Sequence, residues 1–328
     1  MPAVHGKEMG RLRRILTLTA ILLALLLGLS GCRPLVDSEE EAISIYATVY
    51  PIYALTEGLM ADVPDAELHC LVQPQDGCLR AYSLSDWDIY LLASSADAII
   101  AGGRGLESYE STLFSWGDAG PAVSTVLYNI ELYNQDDNEY SDEDSSHLDG
   151  ANPHLYMSVS GAKQLAESIA ATLVSLDPDY ADTYVVNEAS VQERLDALAA
   201  EISDIAGDLA GQPVILMNEA LIYLAQDLEL DVAEWYDRES SAALYDDELQ
   251  SCLEKLSSSE AKVILIERQA PQIFVEALES AGFVVAKIDI FSTHRAENGG
   301  FEDYLKTQRE NVQAIRAAYD QAAMMTEG

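Results

Sequence analysis

Three apolar runs of strand length end in side chains that offer oxygen to a ligand. Val214–Met217 leads into Asn218 and Glu219, Val263–Ile266 into Glu267, and Phe283–Ile288 into Asp289. A histidine, His154, follows Asn152-Pro153 after an acidic stretch, and Arg80 and Tyr82 follow the run around Leu71-Val72. In open α/β sheets ligands bind outside the carboxyl ends of the strands, so parallel pairing of these runs would gather the donors at one cleft. An imidazole, carboxylates and a carboxamide suit a divalent cation or a small polar ligand. His154 reads either as a hydrogen-bonded loop histidine or as a ligand, Asp289 as a ligand or a helix cap, and Glu267 as a residue that orients ligands. No Gly-X-Ser-X-Gly or His-Glu-X-X-His motif occurs and histidine appears five times, so nothing assembles a nucleophile with its base. The expectation is a binding module and no enzyme.

The elements that must position these residues alternate along the chain. Apolar runs fall at Ile43–Tyr50, Leu68–Val72, Ala98–Ala101 and Val123–Tyr128, then at Val214–Met217, Leu230–Trp235, Val263–Ile266 and Phe283–Ile288. Most are rich in Val and Ile without polar alternation, as strands buried on both faces require. Helical patterns lie between them, at 51–62, 85–94, 219–228, 243–257 and 270–281. This predicts an α/β protein of two lobes, each with a four-stranded, mainly parallel sheet flanked by helices. Between the lobes, Asp177-Pro178 opens a helix, and Val191, Leu195, Leu198, Ile202, Ile205 and Leu209 recur on one face. The spacing predicts a single linking helix over 178–209, roughly 45 Å long at 1.5 Å per residue, with a first lobe over 43–177 and a second over 210–328. The stretch with Leu165, Ile169, Leu173 and Leu176 is a further helix of the first lobe, and the tail from Asp320 to Gly328 reads as disordered.

The first 31 residues read as an export signal. Lys7, Arg11, Arg13 and Arg14 precede an uncharged run from Ile15 to Gly31, at about 17 residues the lower edge of what spans a hydrocarbon core. The run ends Leu29-Ser30-Gly31-Cys32, which resembles the bacterial lipobox, where diacylglycerol is attached to the cysteine. Residues 32–42 then form a tether, and the protein is expected on the extracytoplasmic face of a cell membrane, lipid-anchored through Cys32. The chain carries 18 basic against 56 acidic residues, a net charge of −38, which excludes a nucleic-acid partner. Seven carboxylates crowd a loop over 134–152 with no basic residue. Cys70 and Cys78 flank a turn-rich segment and read first as a disulfide in an oxidising compartment, with free thiols or a pair of thiolate metal ligands as the alternatives, while Cys252 reads as a small core residue.

With these residues in place, the chain resembles the solute-binding subunits of zinc- and manganese-type ABC transporters, over about residues 43 to 319. Ala47-Thr-Val-Tyr-Pro51-Ile-Tyr is similar to the family's opening strand and turn. Gln73-Pro-Gln-Asp-Gly77 with Tyr82 and Asp88 matches its first-ligand loop, and Asn152-Pro-His154-Leu-Tyr resembles its Asp-Pro-His-X-Trp. Asp177-Pro-Asp-Tyr, Tyr184 and Asn187 match the start of the linking helix, and Asn218-Glu-Ala-Leu-Ile-Tyr223 the third-ligand motif. The resemblance implies a monomeric lipoprotein that delivers zinc or manganese to an ABC permease and its ATPase subunit, with His154, Asn218 and Asp289 as metal ligands. The first ligand position carries Arg80, which stays protonated and offers only donors. Three readings of Arg80 follow. The missing ligand comes from His69, Cys78 or Glu219; or Arg80 pairs with an anionic chelator that carries the metal; or it pairs with Asp289 or Glu267 in a site that has lost metal. The alternative functions are accordingly a binder of a metal chelate or other small solute, or a receptor- or adhesin-like lipoprotein without a metal site.

Overall fold

A computed structural model describes residues 42–72, 82–133, 151–236, 246–292 and 299–326. The signal segment, Cys32, most of the tether, Cys78, Arg80 and most of the acidic loop lie outside the described residues. From Ile43 onward the chain forms one unit. Its first lobe holds β1 (Ile43–Ala47), β2 (Ala66–Cys70), β3 (Ala98–Ala101) and β4 (Ala122–Thr125), in the order β2-β1-β3-β4. Its second holds β5 (Pro213–Leu216), β6 (Asp231–Trp235), β7 (Val263–Glu267) and β8 (Val284–Ile288), in the order β6-β5-β7-β8. Every pairing is parallel, as the continuous apolar runs predict. Strands β3 and β7 are buried at every residue. In both sheets the strand order reverses beside the first strand, so each lobe opens a crevice there: between β1 and β3, and between β5 and β7.

Most elements end where local chemistry ends them. Strand β1 stops at Ala47, short of the expected Tyr50, because Pro51 sits in the first turn of α1 (Tyr50–Leu59) and Val49 is its N-cap. Helix α2 (Asp86–Ser95) is opened by a reciprocal capping box between Ser85 and Asp88. The short α3 (Glu110–Phe114) follows Glu107, a fully buried carboxylate that accepts from the N–H groups of Gly102 and Gly103 at 2.8 and 2.9 Å. Thr48 Oγ1 also donates to it, which ties the end of β1 to the end of β3. Burial pushes the Glu107 carboxyl upward against these hydrogen bonds. Helices α6 (Ile222–Asp227), α7 (Asp246–Leu256) and α8 (Gln272–Ser280) flank the second sheet.

Helices α4 (Val159–Leu176) and α5 (Ala181–Ala206) pack against each other as the bridge between the sheets. The buried face of α5 is Tyr184, Val191, Leu195, Leu198, Ile202 and Ala206. It is shorter than the expected 178–209: Pro178–Tyr180 form a 3₁₀ turn, and Gly207 at φ 59° ends the helix.

The carboxy-terminal tail corrects a second expectation. Helix α9 runs from Phe301 to Thr326 and includes most of the residues read as disordered. Val312, Ile315 and Ala318 continue its buried stripe, and Tyr319 Oη donates to Pro213 O at 3.1 Å. Arg316 pairs with Asp208 and Asp320 and donates to Ala206 O at 3.2 Å, placing a cation on the carboxyl end of α5. Helix α9 packs on β8 of its own lobe, on α5, and on α1 of the other lobe. Tyr50 Oη donates to Asp303 at 2.7 Å, and the N–H of Phe301 to Glu57 at 3.0 Å. Arg309 grips Glu201 of α5 with two hydrogen bonds. Two helices therefore brace the lobes, where the sequence pattern indicated one.

The turn ahead of α4 is set by a close backbone approach. A Cβ built on Gly161 would lie 2.1 Å from the carbonyl oxygen of Leu155. Gly161→Ala should destabilise the protein by about 1–3 kcal/mol, the usual range for overpacking. Urea unfolding would show it, and an unchanged midpoint would contradict this packing.

Candidate functional site

Asn152 and His154 enter the cleft from the first lobe, on the chain leading to a 3₁₀ turn at Leu155–Met157. Both are buried. Asn152 Oδ1 accepts from the backbone N–H of His154 at 3.0 Å, and its Nδ2 donates to Glu219 O at 2.8 Å. A backbone N–H only donates and a carbonyl only accepts, so the orientation of this amide is fixed by its partners. The same Oδ1 lies 2.9 Å from His154 Nδ1, which must therefore carry the proton. The lone pair of the neutral ring is then on Nε2.

The second lobe answers with Glu219 and Tyr223. Tyr223 Oη donates to Asn152 O at 2.7 Å and accepts from Tyr133 N at 2.9 Å. Burial pushes its phenol up to about 12, so it stays a donor at neutral pH. Of the two candidates after β5, Asn218 uses Oδ1 to accept from the N–H of Ala220 at 2.9 Å, capping the turn. Glu219 is buried, and its carboxylate stands 3.8 Å from His154 Nδ1. The geometry thus sets Glu219 against the histidine and gives the Asn218 oxygen to the turn.

Asp289 follows β8 directly and is 1% exposed. Its backbone is held by Asn311 of α9, which donates to Asp289 O and accepts from Asp289 N, both at 2.9 Å. One carboxylate oxygen accepts from the N–H of Phe291 at 2.8 Å, and the other lies 3.2 Å from Arg268 Nη1. The carboxylate therefore closes a local turn, with no helix beginning there among the described residues, and forms an ion pair whose cation the sequence pattern did not single out. Glu267, buried at the end of β7, is in register with Ile288. The N–H of Arg268 continues the ladder to Ile288 O at 2.7 Å, which sets Arg268 directly beside Asp289.

Aromatic rings connect the two halves of the site. His154 meets Tyr156 edge-on at 5.9 Å, Tyr156 meets Phe291 edge-on at 6.0 Å, and Phe291 stacks on Tyr304 at 5.0 Å. Tyr304 Oη donates to Tyr156 O at 2.7 Å. Phe291 has φ 63°, in the left-handed region that side chains rarely adopt. The hydrogen bond from its N–H to the Asp289 carboxylate and the ring packing on both sides hold it there.

The other candidates fall as follows. His69 lies within β2, stacked on Tyr46 at 4.7 Å and 3.7 Å from Glu67. Cys70 Sγ lies 3.2 Å from Val72 O, and burial pushes its thiol up to about 12; its expected partner Cys78, like Arg80, is outside the described residues. Cys252 is buried in the second lobe. Among the described residues no three histidine, cysteine or carboxylate side chains are close enough together to hold a metal ion. Sequence reasoning missed Arg268 and the part played by Asn311. The single available signal for Arg268 was its position next to Glu267 at a strand end.

The model of the ZnuA family, described as zinc-uptake complex component A, periplasmic, matches residues 45–318. The chain belongs to this family. It is 22% identical over 325 residues to the zinc-binding lipoprotein AdcA of Streptococcus pneumoniae, covering 94% of this chain but 62% of AdcA. It is 23% identical over 303 residues to the high-affinity zinc uptake system protein ZnuA of Bacillus subtilis, covering 88% of this chain and 91% of that protein. The fold is shared with the solute-binding protein FpvC of Pseudomonas aeruginosa, solved with Mn2+. That match has a TM-score of 0.71 at 20% identity, over 86% of this chain and 99% of FpvC. Against the family pattern, the histidine motif opens with Asn152 where Asp is usual. The amide supplies a donor toward Glu219 O that a carboxylate lacks.

Phe291 joins the Asp289 turn to the His154 turn, so its removal reads out that joint. Phe291→Ala should cost about 3–5 kcal/mol, as other buried aromatic truncations do. A loss below about 1 kcal/mol in chemical denaturation would show that the ring carries little of the junction.

Proposed function

We propose that this protein captures a divalent transition-metal ion, zinc or manganese, between its lobes and delivers it to the permease of an ABC importer and its ATPase subunit. The observation that supports the reading is the approach of Glu219 from the second lobe to within 3.8 Å of His154 Nδ1, which leaves Nε2 of the same ring for a ligand. Imidazole nitrogen and carboxylate oxygen are donors that both zinc and manganese accept. In this reading His154 binds through Nε2, oriented by Asn152, in the manner of an outer partner that fixes the tautomer of a ligating histidine. Glu219 supplies a carboxylate oxygen and Asn218 caps the turn beneath it; Asp289, paired with Arg268, would join them only by moving toward His154, since no three such donors stand together among the described residues. The protein binds and releases its cargo and transforms nothing.

The site of action follows from the amino terminus. We infer that residues 1–31 are removed, that Cys32 carries the lipid, and that residues 32–42 tether a monomer to the outer face of the membrane. AdcA is itself named a lipoprotein.

Protein purified without chelator should contain zinc or manganese by elemental analysis. Added metal at about 100 times its Kd should stabilise the metal-free protein by about 2.7 kcal/mol. His154→Ala and Glu219→Ala should each weaken binding by about 100-fold or more, and Asn152→Ala by about 10- to 100-fold, the range for residues that orient ligands. If no divalent ion shifts the unfolding midpoint of the wild-type protein, the metal reading is wrong.

A further inference from the structure

Asp227, the last residue of α6, belongs to the second lobe but turns its carboxylate to the first. Its Oδ2 accepts from the N–H groups of Val159 and Ser160 at 2.7 and 3.1 Å, and its Oδ1 accepts from Ser160 Oγ at 2.5 Å. Ser158, the N-cap of α4, accepts from Gly161 N at 2.9 Å. The N–H groups of the first turn of α4 are thereby satisfied, two of them from the other lobe. A carboxylate at this end also complements the dipole of an 18-residue helix. The amino end of α4 is in turn continuous with the His154 turn. Met157 N donates to His154 O at 2.9 Å, and Ser158 N to Leu155 O at 3.3 Å. Gly161 lies so close to Leu155 O that an added Cβ would stand 2.1 Å from it. With no space between them, neither piece shifts without the other. Farther along, Ser168 Oγ donates to Val126 O at 2.7 Å, which ties the body of α4 to the first lobe.

We propose that Asp227 is a positioning residue for His154, setting the ring from the second lobe through the amino end of α4. The consequence for metal rests on the reading above; the placement of the turn does not. Groups of the second lobe hold this segment along its whole length. Asn152, two residues ahead of His154, is held through Glu219 O and Tyr223 Oη. Tyr156, two residues after it, has its carbonyl held by Tyr304 Oη at 2.7 Å and Gln308 Nε2 at 3.0 Å. Asp227 closes the series at Val159 and Ser160. The Leu155–Met157 turn also packs on α6 and on the 3₁₀ turn at Glu219–Leu221. Glu219, which faces the imidazole, and Asp227, which fixes the far end of the segment, therefore sit at the two ends of one short stretch, 219–227. A shift of α4 relative to α6 changes the separation of His154 from Glu219. Asp227 is thus the means by which the second lobe sets that 3.8 Å approach.

Amide hydrogen exchange of the purified protein, with Asp227→Ala, Asp227→Asn and Ser168→Ala beside the wild type, tests this role. The readout is the amides of His154 and Met157, which donate to Asn152 Oδ1 and His154 O and make no bond to Asp227. Asp227→Ala should speed their exchange by about tenfold relative to the amides of β3 and β7, because three hydrogen bonds to a carboxylate are lost. Asp227→Asn keeps an acceptor oxygen in place and should stay within about threefold of the wild type. Ser168→Ala, which loosens the tie to the first lobe, should also leave both amides within about threefold. Faster exchange at Val159 and Ser160 alone would overturn the proposal and reduce Asp227 to a cap of α4. An equal rise at His154, Met157, β3 and β7 would overturn it as well, since that is a general loss of stability. Zinc titration by calorimetry adds the consequence for binding: Asp227→Ala should weaken affinity by about tenfold, and Asp227→Asn should restore it. Unchanged zinc affinity in Asp227→Ala would overturn the positioning of His154 as a ligand. Absence of zinc binding by the wild type would defeat the metal reading, and the exchange rates would still decide what holds the turn.

Discussion

A side-chain amide can accept through one atom and donate through another, and at Asn152 those two functions serve different lobes. Its oxygen holds the backbone and ring of His154, while its nitrogen reaches Glu219 O. Its own backbone is gripped by Tyr133 O and by the phenol of Tyr223. Each of these groups is buried or half-buried, so each unmade bond would leave a desolvated polar group, at a penalty of roughly 1–3 kcal/mol. The orientation of the histidine, the approach of Glu219 and the contact between the lobes are therefore one problem with one solution. An aspartate at the same place could hold the histidine but could not donate to the carbonyl of Glu219.

The bracing around this junction explains why it can be built from so few groups. Helix α5 links the two lobes along the chain and packs on α1, α4 and α9, and α9 lies along β8, α5 and α1. Their contacts combine an apolar stripe with polar pairs at the edges: Arg309 with Glu201, Tyr50 with Asp303, and Glu57 with the amino end of α9. The exposed ion pairs among these are worth little individually. Their value is in fixing the angle at which α9 crosses, after burial of Tyr304, Val312 and Ile315 has supplied the driving force.

The strands and their ends were readable because a strand buried on both faces leaves a continuous apolar run, and the next polar residue marks its carboxyl end. That rule located Asn218, Glu219, Glu267 and Asp289 without knowledge of the fold. It failed for α9, whose buried face includes Tyr304, Thr307, Gln308 and Asn311. Apolar periodicity does not count such residues, although Gln308 and Asn311 are buried to make hydrogen bonds. It failed for Arg268 because the partner is fixed by the register between β7 and β8, not by sequence spacing. Which of Asn218 and Glu219 caps the turn was equally out of reach. Adjacent residues at a strand end differ only in which becomes the cap, and Asn218 takes that place by offering its oxygen to Ala220 N.

These constraints bear on how a ligand enters. Opening the lobes as a hinge would separate Asn152 from Glu219 and Tyr223, and would strain the seats of α9 on α1 and α5. That sums several buried hydrogen bonds, each worth about 1 kcal/mol net, together with aromatic packing between Tyr156 and Phe291. Moving the Arg268 side chain gives up its 3.2 Å contact with Asp289. The dominant cost of that movement is the withdrawal of a cation from the buried charge on Asp289 if the guanidinium departs alone. The junction between the lobes is therefore costlier to open than the Arg268 side chain is to move, because opening gives up many buried contacts together.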